Sequence, residues 1–77
     1  MAIKPNKADR AEVTRHGGHA QSFSLPRGSR CTGSAVNYAL GLYTGEWEAT
    51  EVQFYYRGRP CGAFILDNDT GYFTRAM

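Results

Sequence analysis

The chain has 77 residues, with 9 Lys and Arg against 7 Asp and Glu, 42% apolar side chains, 13% aromatics and 2 Cys. A domain of this size buries only about 60% of the surface its unfolded chain exposes, which favours a binding surface over an enclosed catalytic pocket. No apolar run approaches the roughly 18 to 20 residues of a membrane span, the longest, Ala63-Phe64-Ile65-Leu66, being strand-length.

Met1 to Arg10 has basic residues but no apolar stretch behind them, which is not a secretory signal and points to a cytoplasmic protein with no membrane partner. With Pro5, Asn6, alternating charges and Ile3 as its one large apolar residue, this segment cannot bury enough surface to offset ordering entropy. It reads as a flexible basic arm over residues 1–10, ahead of a single domain over residues 11–77. Val13, Thr14, Phe23 and Leu25 flank Gly17-Gly18, a pair that supplies the positive φ of a tight hairpin turn. A two-residue turn there sets Val13 opposite Ser22 and Glu12 opposite Phe23, a register without a clean apolar face, which a bulge or longer loop would correct. Pro26-Arg27-Gly28-Ser29 then ends the strand.

A helix is predicted from Ser34, whose hydroxyl can cap free N–H groups, through Tyr43. Val36, Ala39, Leu40 and Tyr43 fall at i, i+3, i+4 and i+7, a stripe suited to lying on a sheet, and Gly45 supplies the stop. Beyond Trp47 the period changes to two, with Thr50, Val52, Phe54 and Tyr56 alternating with Glu51, Gln53 and Tyr55. Arg57-Gly58-Arg59-Pro60 reads as a turn, Cys61 to Leu66 as the middle strand of a meander, and Asp67-Asn68-Asp69-Thr70-Gly71 as a second turn. Tyr72 to Arg75 closes the meander as an edge strand, with Arg75 blunting further pairing. The order β-β-α-β-β-β gives an α+β fold, a small antiparallel sheet with one helix packed on one face.

Charge is unevenly spread along the chain. Residues 1–30 carry Lys4, Lys7, Arg10, Arg15, Arg27 and Arg30 against Asp9 and Glu12, whereas residues 31–77 carry more carboxylates than cations. A basic arm on a mildly acidic body steers toward a negatively charged partner, nucleic acid or acidic protein, or simply keeps the chain soluble.

Residues of catalytic or metal-binding chemistry are few. His16, His19, Cys31 and Cys61 are the whole His and Cys complement; without a C-x₂-C knuckle they do not read as a zinc site, and no metal or other cofactor is expected. A Cys31–Cys61 disulfide would link the start of the helix to the meander, and a cytosolic setting disfavours it. Neither Cys has a histidine near it in sequence to act as a base, so no catalytic residue is assigned. The carboxylates Glu46, Glu48, Glu51, Asp67 and Asp69 read as a solvated edge and an Asx turn rather than a cation site.

The aromatics are more informative. Trp47, Phe54, Tyr55, Tyr56, Phe64, Tyr72 and Phe73 crowd into the last 31 residues. Because alternate strand residues face opposite sides, one helix cannot cover them all. Trp47, Phe54 and Phe64 are assigned to the core, while Tyr55, Tyr56, Arg57, Arg59 and Tyr72 are the candidate partner-binding residues, a composition typical of interface hot spots. The same residues would suit stacking of single-stranded bases. Arg59-Pro60-Cys61-Gly62-Ala63-Phe64-Ile65 echoes the RNA-recognition strand motif poorly, since Pro60 stands at the glycine and Cys61 at an aromatic.

In format, the chain resembles the small anti-CRISPR proteins with which phages inhibit host defences. The likeness lies in a compact α+β domain with no catalytic motif, a short apolar helix at Ser34-Ala35-Val36-Asn37-Tyr38, an aromatic strand at Phe54-Tyr55-Tyr56-Arg57, and segregated charge. It spans the chain as overall character and carries no signature motif, so it transfers no functional residue. The resemblance implies a non-enzymatic inhibitor, monomer or homodimer, that binds a subunit of a nucleic-acid-bound effector complex and blocks its nucleic-acid or nuclease-docking site. The net charge of +2 departs from the acidic, DNA-mimicking members. The alternative expectation is a nucleic-acid-binding module that uses the basic arm for phosphates and exposed tyrosines for stacking.

Overall fold

Among the described residues of the computed structural model, 7–15, 18–44 and 48–76, the elements run β1 (Arg10–Arg15), β2 (Ala20–Ser24), α1 (Gly33–Leu42), β3 (Ala49–Tyr56), β4 (Arg59–Leu66) and β5 (Phe73–Arg75). This is the predicted α+β order. The strands form one five-stranded antiparallel sheet in the order β2-β1-β3-β4-β5. From the edge strand β2 the chain passes through α1 and returns as β3 on the far side of β1, so β1 lies between two strands that follow it in sequence.

The β1–β2 register differs by one residue from the two-residue-turn expectation. Val13 faces Gln21, Glu12 faces Ser22, and Ala11 faces Phe23. The cause is the turn. Arg15 N–H donates to the His19 carbonyl at 2.9 Å and Gly18 N–H to the Arg15 carbonyl at 3.0 Å, so three residues separate the paired ends. Gly18 supplies the positive φ, +87°. A one-residue shift exchanges the faces of a strand, and here it moves Phe23 from the side of Glu12 to that of Ala11 and Val13.

The helix starts earlier than Ser34. Thr32 is the N-cap, its extended backbone presenting Oγ1 to the Ala35 N–H at 3.4 Å, and Ser34 lies inside the first turn. At the other end Tyr43 is the C-cap, its N–H donating to the carbonyls of Ala39 and Leu40. The predicted stop at Gly45, and Trp47, lie outside the described residues. Of the predicted stripe, Val36 and Ala39 are buried, and Leu40 and Tyr43 pack partly buried against the core.

That core sits between α1 and one face of the sheet. Ala11 and Val13 of β1, Val52 and Phe54 of β3, and Phe64 of β4 meet Val36 and Ala39, with Phe54 and Phe64 edge to face at 6.0 Å. The other sheet face is polar for most of its area. It carries Arg10, Glu12 and Thr14 from β1 and Glu51, Gln53 and Tyr55 from β3, with Ile65 of β4 as an exposed apolar residue. Arg75 turns back toward the core side. Its guanidinium lies 5.0 Å from the Phe64 ring centre and donates to the Cys31 carbonyl at 2.8 Å, so its side chain braces the start of α1.

The folded body takes in part of the segment read as an arm. Lys7 bridges Arg30, Ala8 is buried and donates to the Ser29 carbonyl, and Asp9 N–H donates to the Tyr55 carbonyl. Residues 1–6 lie outside the described residues. Among the described residues, no helix is long and apolar enough to cross a membrane.

Candidate functional site

The β3–β4 hairpin turns through Arg57 and Gly58, both at positive φ, +53° and +80°. That pair of angles is a type I′ turn, whose twist matches the flanking strands. Glycine adopts it freely; for arginine the left-handed region costs about 1–2 kcal/mol. The Arg57 N–H is held by the Asp9 carboxylate at 3.0 Å. On either side of the strand end, an arginine lies over a tyrosine. The Arg10 guanidinium sits 4.2 Å from the Tyr55 ring centre on the polar face, and Arg57 lies 5.3 Å from that of Tyr56 on the other.

Two further segments converge on this end. Pro26–Ser29 forms a turn closed by Ser29 N–H donating to the Pro26 carbonyl at 3.1 Å, with Gly28 at φ +88° as a type II turn requires. Together with Lys7–Asp9 and Tyr56 it lines a cleft of about 440 Å³. The backbone pairing of Lys7 with Arg30 anchors the segment leading into α1 beside it. Among the described residues, Lys7, Arg10, Arg27, Arg30, Arg57 and Arg59 thus gather at one end of the sheet, with Asp9 as the carboxylate among them. The far end carries Glu48, Glu51, Asp67 and Asp69 with Arg15. Clustered charges of one sign sum to a potential that reaches beyond any single pair, screened over about 8 Å at physiological salt.

The structure brings four of the five candidate binding residues together and leaves one apart. Tyr55, Tyr56, Arg57 and Arg59 surround the hairpin tip, Tyr55 and Tyr56 on opposite faces. Tyr72 follows the turn at the other end of β4, an eight-residue strand, or roughly 25 Å away at about 3.3 Å per residue. It is 74% exposed and borders a separate groove lined by Val36, Leu40, Phe64 and Phe73. Lys7, Arg10, Arg27 and Arg30 join this surface, and the only sign of them in the sequence is the excess of positive charge over residues 1–30.

Cys31 and Cys61, 30 residues apart in sequence, meet at the same end with their sulfurs 3.0 Å apart. The Lys7 carbonyl oxygen lies 3.2 Å from the Cys61 sulfur and 3.8 Å from that of Cys31. Burial, the hydrogen bond to Cys31 and the nearby Cys31 and Asp9 charges push the Cys61 thiol up to about 12 from 9.0. A thiol held protonated is a poor nucleophile at neutral pH. It also makes stability fall in alkali: between pH 9.0 and about 12 the unfolded chain releases this proton while the folded chain retains it. Urea midpoints of the reduced protein are therefore expected to drop as pH rises through that window, and to drop less for Cys61→Ser. Equal slopes for the two proteins would overturn this assignment.

His19 lies in the β1–β2 turn at the acidic end, away from both cysteines, and His16 lies outside the described residues. Among the described residues, no three His, Cys, Asp or Glu side chains come together in a metal-holding group. Comparison with known proteins finds no matching family model, curated protein or solved structure.

Proposed function

We propose that this chain is a non-enzymatic binding protein that docks its cationic end on an acidic surface of a protein partner. It acts as a stoichiometric inhibitor of the anti-CRISPR kind. The observation that carries the reading is the convergence, among the described residues, of six cations from three separate segments around one carboxylate whose Oδ2 already accepts the Arg57 N–H. Such a surface is repelled by a basic nucleic-acid-binding groove. The site it covers on an effector subunit is therefore an acidic one, such as a nuclease-docking surface, rather than the groove that holds phosphates. Tyr55 and Tyr56 add buried area beneath Arg10 and Arg57.

A protein partner is favoured over nucleic acid by the faces of the sheet. The polar face, where a strand of bases would lie, carries Glu12 and Glu51 beyond Arg10, and the Tyr55 ring there already stacks on a guanidinium. Capture from lysate of the native host, with and without nuclease, tests the choice. A discrete protein is expected to survive nuclease, to fall by about tenfold or more with Arg57→Glu plus Arg59→Glu, and to be unchanged with Glu48→Lys at the acidic end. Recovery that vanishes with nuclease would replace this reading with direct nucleic-acid binding. Undiminished capture by the doubly reversed variant would remove the cationic end from the interface.

A further inference from the structure

The backbone around the two cysteines is shaped to let them touch. Between β3 and β4 the register slips: Phe54 faces Gly62, but Tyr55 faces Pro60, leaving Cys61 as an extra, bulged residue. A bulge re-aims a side chain, and here Cys61 packs against the edge of the core beneath Lys7. Its neighbour Gly62 makes room for the other sulfur. A Cβ at position 62 would stand 3.1 Å from the Cys31 Cβ and 3.4 Å from its sulfur. Cys31 itself is fully buried, its carbonyl held by Arg75 and its flanking residue Arg30 bridged to Lys7. The two sulfurs thus stand about 1 Å farther apart than a disulfide bond, that of Cys31 enclosed in the core and that of Cys61 at its partly exposed edge.

We infer that Cys31 and Cys61 form a reversible intrachain disulfide that ties the entry of α1 to the bulge of β4. With a low-molecular-weight disulfide such as glutathione disulfide as oxidant, the more accessible Cys61 attacks first through the small fraction that has given up its proton, so the step is slow at neutral pH and faster in alkali. The oxidant's S–S bond breaks, one thiol leaves, and a mixed disulfide remains on Cys61. Cys31, losing its own proton, then attacks the Cys61 sulfur and releases the second thiol. In total the protein loses two protons and two electrons, and the oxidant takes them up to become two thiols. The bond joins the segment that carries Arg30 to the strand that begins with Arg59. It therefore stiffens the cationic end, a consequence that rests on the binding reading above, whereas the bond itself does not.

The test is mass spectrometry and thiol titration of the folded, full-length protein before and after incubation with excess glutathione disulfide, together with urea unfolding of both forms. Oxidation is expected to remove both titratable thiols, lower the mass of the monomer by two hydrogens, and reverse with dithiothreitol. Closing a loop of about 30 residues should reduce the unfolding equilibrium constant by about 100- to 1000-fold. Cys31→Ser and Cys61→Ser should show no such gain with oxidant. Two thiols persisting in the folded wild type, mixed or intermolecular disulfides as the main products, or a crosslinked form less stable than the reduced one would each overturn the inference. None of these readouts involves a partner, so a failure of partner capture by the reduced protein bears on the binding reading alone.

Discussion

Phe54→Ala is expected to lower stability by about 3–5 kcal/mol, enough to leave much of the protein unfolded in water. The ring is fully buried in the middle strand of the sheet, flanked by Ala11 on β1 and Gly62 on β4, and its edge-to-face partner is Phe64. Neither Ala11 nor Gly62 has a side chain that could swing into the space. The cavity would therefore stay open, which places the cost toward the upper part of that range. A 77-residue domain at about 0.05–0.15 kcal/mol per residue holds only about 4–12 kcal/mol in total. Urea unfolding followed by far-ultraviolet circular dichroism gives the answer, with Phe54→Leu as the milder comparison. A loss below about 1 kcal/mol for Phe54→Ala would mean that the sheet can close over the gap and that the core is not centred on this residue.

The elements were readable because each depends on local pattern. Val52 and Phe54 alternate with polar neighbours and make β3 plain; Val36, Ala39 and Leu40 recur at helical spacing and make α1 plain. Where a backbone hydrogen bond decides between neighbouring choices, pattern alone was insufficient. Ser34 is the better cap by residue type, yet it is the Thr32 hydroxyl that meets the Ala35 N–H. Likewise Gly17-Gly18 suggests a two-residue turn, while the Arg15–His19 pairing makes it longer. Long-range arrangement was out of reach for a different reason. Nothing in the order of residues says that β1 will lie between β2 and β3, and that insertion is what sets Arg10 and Asp9 beside Tyr55 and Arg57. Along the chain the charges look like a basic first half and an acidic second half. In the fold, Arg57 and Arg59 cross over to join Lys7, Arg27 and Arg30, and the imbalance becomes one between ends of the sheet. The cysteines follow the same logic, since their contact requires a bulge and a glycine that only the β3–β4 register reveals.

Arg57→Asn is expected to make the protein more stable and a poorer binder at once. The left-handed conformation at φ +53° strains an arginine, whereas asparagine adopts it more readily and Asn-Gly is the preferred pair for this turn. Relief of about 1 kcal/mol corresponds to a rise of roughly 4–8 °C in Tm for a domain of this size. The Asp9 hydrogen bond should survive, because it is made by the backbone N–H of residue 57 rather than its side chain. What is lost is the exposed guanidinium above Tyr56, at the tip of the hairpin. On the binding reading above, the strained residue is kept for the contact its guanidinium makes with the partner. Arg57→Lys separates the two effects, since it keeps both the charge and the strain: its Tm should stay near that of the wild type and much of its partner affinity should remain. A raised Tm with undiminished affinity for Arg57→Asn would show that the guanidinium is not used. An unchanged Tm would show that the turn carries no strain to relieve.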